Sequence, residues 1–178
     1  MIGNFDAVIL GAAGYGGGEL LRLLMAHPNG GSIRALSRSH AGRPLHSAHP
    51  GLRGFLEQSF LGELDWRELA SSPHPVVFSA QPHGELAAQL PALESAWAEA
   101  GITERLLLID LSGDFRLEDP EAFARAYGRV HPCPELLPSF VYGCPEANRE
   151  RLRRARRIAN PGCFATARST YLPGSRGA

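Results

Sequence analysis

Seven residues near the start, Gly11-Ala12-Ala13-Gly14-Tyr15-Gly16-Gly17, constrain this chain more than any others. Before them runs Phe5 to Leu10 (FDAVIL), short and mostly apolar. Such a run suits a buried parallel strand. After them, Glu19 to Ala26 (ELLRLLMA) has helical character and stops near Pro28-Asn29-Gly30. A strand that enters a helix through spaced glycines gives a tight turn and lets a ligand approach the backbone closely. The helix N-terminus adds free N–H groups and the positive end of the helix dipole, which together suit a pyrophosphate. Gly11, Ala13, Gly14, Tyr15, Gly16 and Gly17 are therefore candidate cofactor contacts. The spacing is G-x-x-G-x-x-G rather than the commoner G-x-G-x-x-G, and a glycine turn without a ligand is the competing reading.

Strand and helix patterns alternate along the rest of the chain. Ser32 to Ser37 reads as a second strand, Val76 to Ala80 as a third and Leu106 to Asp110 as a fourth. Helices are expected over Glu85 to Ala100, Pro120 to Tyr127 and Ala147 to Arg157, with a short strand over Arg157 to Ala159. Arg38 to Gly54 and Val130 to Pro145 read as loops. This alternation predicts an α/β fold, a Rossmann-like doubly wound parallel sheet with right-handed crossovers.

The end of the second strand bears on the cofactor. Folds that prefer NAD place Asp or Glu there to hold the ribose hydroxyls. Here the residues are Ser37 and Arg38, with no carboxylate nearby in sequence. An arginine at that point suits a 2′-phosphate, so NADP(H) is the expected cofactor. The competing reading is a solvated surface arginine.

Composition narrows the chemistry. The 178 residues carry 18 basic and 18 acidic side chains, for a formal net charge of zero. That balance argues against a general grip on nucleic acid or on an anionic membrane. Every basic residue among the 18 is Arg, so no residue of this chain can form a Schiff base through lysine. The arginines between Arg149 and Arg157 are expected to form a solvated helix face. No stretch approaches the roughly 20 apolar residues of a membrane helix, and no signal peptide is legible. Cys133, Cys144 and Cys163 are too few, and odd in number, for a disulfide framework, which points to a reducing, cytoplasmic setting. No metal-ligand spacing is legible.

Of the three cysteines, only Cys163 follows a strand and a Pro-Gly turn, and it should open a helix. A helix N-terminus favours thiolate, and a strand-to-helix turn exposes the side chain. Cys163 is the candidate nucleophile, against the alternative of a buried, inert thiol. Cys133 and Cys144 are expected to be structural.

The blocks GAAGYGGGELLRLL (Gly11 to Leu24), SRSHAGRPL (Ser37 to Leu45), HPGLRG (His49 to Gly54), VVFSAQPHG (Val76 to Gly84), IDLSGDFRLEDPEAF (Ile109 to Phe123), VYGCPEANRE (Val141 to Glu150) and IANPGCFAT (Ile158 to Thr166) occur in this order. In these blocks the chain resembles the N-acetyl-gamma-glutamyl-phosphate reductases of arginine biosynthesis, over roughly Ala7 to Ala167. The resemblance implies that Cys163 attacks an acyl phosphate, releases inorganic phosphate, and forms a thioester that is reduced to the aldehyde. It implies that Pro82 and His83 line the cofactor cleft, and that Ser112, Asp114, Arg116 and Asn160 lie near the substrate. For Arg116 an internal pairing with Asp114 that only shapes the loop competes with a substrate contact. Aminoadipyl-phosphate reductase, aspartate-semialdehyde dehydrogenase, a non-catalytic dinucleotide module and a cysteine hydrolase are the competing functions.

The chain departs from that family in two places. Phe164 and Ala165 stand where the family has Tyr and Pro. The family also continues past this point into a second, α+β domain with the acid–base histidine and the surface of a dimer or tetramer. Residues 1–162 are therefore expected to form an NADP-binding domain, and 163–178 the truncated start of a catalytic one. Arg168 to Ala178 is expected to be an out-of-frame or cloning-derived tail. A face of the sheet is expected to lack its cover.

Overall fold

The computed structural model describes residues 4–171, with side-chain surroundings given up to residue 167. Among the described residues, six strands form one all-parallel sheet. They are β1 (Phe5–Leu10), β2 (Gly30–Leu36), β3 (Pro75–Ser79), β4 (Leu107–Asp110), β5 (Val141–Tyr142) and β6 (Arg157–Ala159). Their order across the sheet is β2-β1-β3-β4-β6-β5. The expected doubly wound parallel fold is therefore present. The chain leaves β1 for β2 on one side, then crosses to β3 on the other. In an open α/β sheet, ligands sit outside the strand C-termini where the order reverses in this way.

Five helices connect the strands: α1 (Tyr15–Met25), α2 (Glu85–Glu99), α3 (Pro120–Tyr127), α4 (Pro145–Leu152) and α5 (Cys163–Tyr171). Strand alternation divides the core in two. Val8, Leu10, Val77 and Leu108 face α2 and pack with Leu86, Leu90, Trp97, Phe115 and Phe140. Ala7 and Ile9 face the other way, against Leu21 and Leu24 of α1 and against Leu45, Leu52 and Phe60. The latter three come from the long connection between β2 and β3. Its first part, expected to be a loop, folds into short 3₁₀ turns at Arg38–His40, Leu45–Ser47 and Pro50–Leu52.

The register explains where cover runs thin. Ile9, Phe78, Ile109, Ile158 and Val141 lie in one row across the sheet. Ile9 is fully buried beneath α1, while the other four are half-buried. The apolar row thus outruns the helix that covers its β1 end.

Several boundaries differ from the sequence reading. α1 begins at Tyr15 rather than Glu19, so three glycines lie within its first turn. α4 spans Pro145–Leu152 rather than Ala147 to Arg157, with Pro145 in its first turn, where a missing N–H costs nothing. β5 lies inside the segment expected to be Pro-rich loop. The supposed tail from Arg168 onward lies largely outside the described residues.

Candidate active site

The parallel sheet brings the turns after β1, β2, β3, β4 and β6 to one edge. The turn after β1 is the glycine loop. Gly11 has φ +75°, and a Cβ there would lie 2.8 Å from the Ala80 carbonyl oxygen. A Cβ on Gly17 would lie 2.4 Å from the Ala12 carbonyl oxygen. Glycine is therefore required at Gly11 by both conformation and space, and at Gly17 by helix–strand packing. Gly14 precedes the first turn of α1, and Tyr15 is fully exposed on it. The first-turn amides of Tyr15, Gly16 and Gly17 have no partner further back in the helix. Such a helix start could hold a phosphate group.

Beside the loop lies a cleft of about 580 Å³. Leu10 and Gly11 at the end of β1, Leu36, Ser37, Arg38 and Ser39 at and after the end of β2, and Gln81 and Pro82 after β3 line it. It therefore sits at the reversal of strand order. Ser37 is nearly buried and its hydroxyl lies 3.3 Å from that of Ser39, while Arg38 is exposed. Further wall residues are Gly62, Glu63, Leu64 and Trp66, with Glu85, Gln89 and Leu93 of α2. None of these carried a sequence signal, because they reach the cleft from the long β2–β3 connection and from α2. Glu63 and Glu85 also give the cleft carboxylates that the residues next to Arg38 lack.

His83 turns away from this cleft. The Gly113 N–H donates to its Nδ1 at 2.7 Å, so the neutral ring carries its proton on Nε2. Pro82 lines this cleft, whereas His83 joins the turn after β4.

That turn is a buried polar network. Asp110 is fully buried and accepts from the Ser112 N–H at 3.0 Å and the Ser112 hydroxyl at 2.7 Å. Burial pushes its carboxyl up to about 6, against the pull of those two hydrogen bonds. Asp114, 1% exposed, accepts from the Gly84 N–H at 2.8 Å, so it caps the N-terminus of α2. Its ionic partner is Arg129 at 3.5 Å, not Arg116 as in the competing reading of an internal Asp114–Arg116 pair. Arg116 reaches elsewhere. Its Nε donates to the Asn160 carbonyl and its Nη2 to the Leu111 carbonyl, both at 2.8 Å. The Asn160 N–H donates to the Asp110 carbonyl at 2.7 Å. Ser112, Asp114, Arg116 and Asn160 are thus brought together, as a frame beneath the turn that carries Cys163.

Cys163 is exposed and is the first residue of α5. Thr166 closes that first turn, its N–H and hydroxyl donating to the Gly162 carbonyl at 2.9 and 3.0 Å. Cys133 is buried, with its thiol pushed up to about 11 by burial and its Sγ donating to the Ala87 carbonyl at 3.4 Å. Cys144 precedes α4 and its Sγ donates to Glu146 at 3.4 Å. Among the described residues no three His, Cys, Asp or Glu side chains gather as a metal-binding group. No described helix is long and apolar enough to cross a membrane.

Fold and site together define a dinucleotide-binding domain of the doubly wound class. The family model described as semialdehyde dehydrogenase, NAD binding domain, matches residues 6–155, and the chain belongs to that family. The chain is 47% identical over 161 residues to an N-acetyl-gamma-glutamyl-phosphate reductase from Nitrosococcus oceani, covering 90% of this chain and 44% of that protein. It is 44% identical over 166 residues to a protein from Thermomicrobium roseum provisionally named LysW-L-2-aminoadipate 6-phosphate reductase, covering 90% of this chain and 42% of that one. A solved aspartate semialdehyde dehydrogenase with NADP, from Candida albicans, aligns at 18% identity and a TM-score of 0.48, covering 91% of this chain and 43% of that one. The resemblance read from the sequence blocks is borne out. The chain spans less than half the length of the curated relatives it matches.

Proposed function

We propose that this chain is the cofactor-binding and nucleophile-bearing part of an NADPH-dependent acyl-phosphate reductase. The reaction is reduction of N-acetyl-gamma-glutamyl phosphate to N-acetyl-glutamate 5-semialdehyde and phosphate, in the cytoplasm. The observation that carries this reading is the order of turns along one sheet edge. Arg38 follows β2, the glycine loop follows β1, and Cys163 follows β6. Three strand spacings separate β1 from β6, about 14 Å at ~4.8 Å each. A dinucleotide whose pyrophosphate rests on α1 and whose adenosine end lies toward β2 points its other end toward Cys163.

The residues fit that cofactor. Gly11 and Gly17 leave the room a Cβ would fill. The first turn of α1 offers amides to the pyrophosphate, and Ser37 and Arg38 suit a 2′-phosphate. When bound, NADPH supplies the hydride for the reduction. The protein's own part is nucleophilic. The Cys163 thiolate attacks the acyl carbonyl carbon, a C–S bond forms, and the C–O bond to phosphate breaks. Phosphate leaves with the bonding electron pair, and Cys163 holds the acyl group as a thioester. Arg116 and Asp110 fix the backbone of Asn160, so the turn presents the sulfur in one place. Residues 1–162 serve the cofactor, and Cys163 opens the segment that serves the acyl group.

The chain spans less than half the length of its curated relatives, and the resemblance implies an acid–base histidine in the part beyond the matched stretch. Such help is worth about 10²–10⁴-fold, so the 178 residues alone are expected to turn over little. The Thermomicrobium relative supports a second acyl substrate, aminoadipyl phosphate. The test is to mix the chain with each acyl phosphate without NADPH, and read phosphate release and intact mass. One phosphate freed per acyl group gained on Cys163 supports the reading, and the faster substrate identifies the acyl group. Release without a protein adduct, or an adduct that persists in Cys163→Ser, would sink it.

A further inference from the structure

The block His49 to Gly54 (HPGLRG) is not used by the acyl-transfer steps proposed for Cys163. The fold nonetheless brings His49 to the glycine loop, 37 residues away in sequence. Its Nε2 lies 2.8 Å from the Ala12 carbonyl oxygen. A carbonyl only accepts, so the ring donates from Nε2. We infer that His49 is a positioning residue for the dinucleotide, acting through Ala12 and setting the glycine loop from behind; the inference rests on the cofactor reading above.

Three observations support it. First, Ala12 is fully buried and its N–H already donates to the Leu36 carbonyl at 2.9 Å. With its carbonyl held by His49, both polar groups of that residue are tied, and the turn between Gly11 and Gly14 has one orientation. A buried carbonyl that loses its donor is costly, so the bond resists opening. Second, the ring lies directly against α1. A Cβ on Gly18 would sit 2.5 Å from His49 Nδ1, so only glycine admits the ring at that place in the helix. Third, His49 is itself rigidly held. Its N–H donates to the Leu45 carbonyl at 3.0 Å, its carbonyl accepts from the Leu52 N–H at 2.9 Å, and its ring meets buried Phe60 edge-on at 6.0 Å. The 3₁₀ turns on either side thus deliver one donor to one carbonyl of the phosphate-binding turn.

The experiment compares NADPH with 2′-AMP, which lacks the pyrophosphate, by titration calorimetry on the full 178-residue chain. His49→Phe keeps a ring without the donor, and His49→Gln restores a donor. His49→Phe is expected to weaken NADPH about tenfold while 2′-AMP changes by less than about twofold, with His49→Gln recovering most of the loss. Gly18→Ala pushes the ring away and is expected to copy His49→Phe, which supplies the comparison if the Phe variant does not fold. NADPH binding unchanged in both His49→Phe and Gly18→Ala would overturn the inference. So would equal loss of both ligands, the mark of a merely structural role. A wild-type chain that binds 2′-AMP and NADPH equally well, or neither, would overturn the cofactor reading instead.

Discussion

The guanidinium of Arg116 donates to the carbonyl of Asn160 at 2.8 Å, three residues before Cys163. The same side chain holds the Leu111 carbonyl, so one arginine ties the turn after β4 to the turn after β6. Removing it leaves two carbonyls without a charged donor, and hydrogen bonds to charged groups are worth about 1.5–3 kcal/mol each. Arg116→Met is therefore expected to lower stability by about 1–3 kcal/mol and to slow acylation of Cys163 more than tenfold. Denaturant melts and the phosphate-release assay check the two parts separately.

Asp110 gives a pH dependence with a definite sign. Its folded carboxyl titrates at about 6, above its ordinary 3.8, because it is buried. The folded state thus binds more protons than the unfolded one between those values. Stability contributed by protonated Asp110 is fully present below about pH 4 and is lost as pH rises through about 6. The stability difference between Asp110→Asn and wild type should shift in favour of the variant across that window, by an amount on the order of 1–3 kcal/mol. Equilibrium unfolding at pH 4, 5, 6 and 7 measures it.

Gly17 packs where no side chain fits, with the Ala12 carbonyl 2.4 Å from the place of a Cβ. The obstructing atoms belong to backbone, so they do not yield cheaply. Gly17→Ala should raise intrinsic helix propensity by about 1 kcal/mol yet destabilise the protein overall. Thermal melts showing a gain in stability would mean that α1 can lift off β1 without cost.

What the sequence made legible follows from how local each signal is. β1 and α3 fall where expected, Phe5–Leu10 and Pro120–Tyr127, because an apolar run and an Asp-Pro helix start are both local. Asp119 accepts from the N–H groups of Glu121 and Ala122, as a capping residue should. The first turn of α1 was hidden because Gly16, Gly17 and Gly18 are poor helix formers, and packing overrides that preference. β5 was hidden for the opposite reason. Val141 and Tyr142 are a strand only by pairing with Ile158 and Ala159, a pairing no local pattern announces. The exposed Cys163 at a helix start and the tight glycine turn were legible from local turn chemistry. The capping role of Asp114, the anchor from His49 and the cleft walls at Trp66 and Gln89 depend on long-range folding.

NADPH is proposed to lie in the cleft at the ends of β1, β2 and β3, with its 2′-phosphate at Arg38. Titrating the chain with NADPH and NADH, in wild type and Arg38→Ala, tests it most directly. Only NADPH carries the phosphate that the Arg38 guanidinium can grip through a charge-assisted hydrogen bond. NADPH is therefore predicted to bind at least about tenfold tighter than NADH in wild type, with the preference erased in Arg38→Ala and NADH unchanged. Equal binding of the two cofactors in wild type, or a preference for NADPH that survives Arg38→Ala, would contradict it.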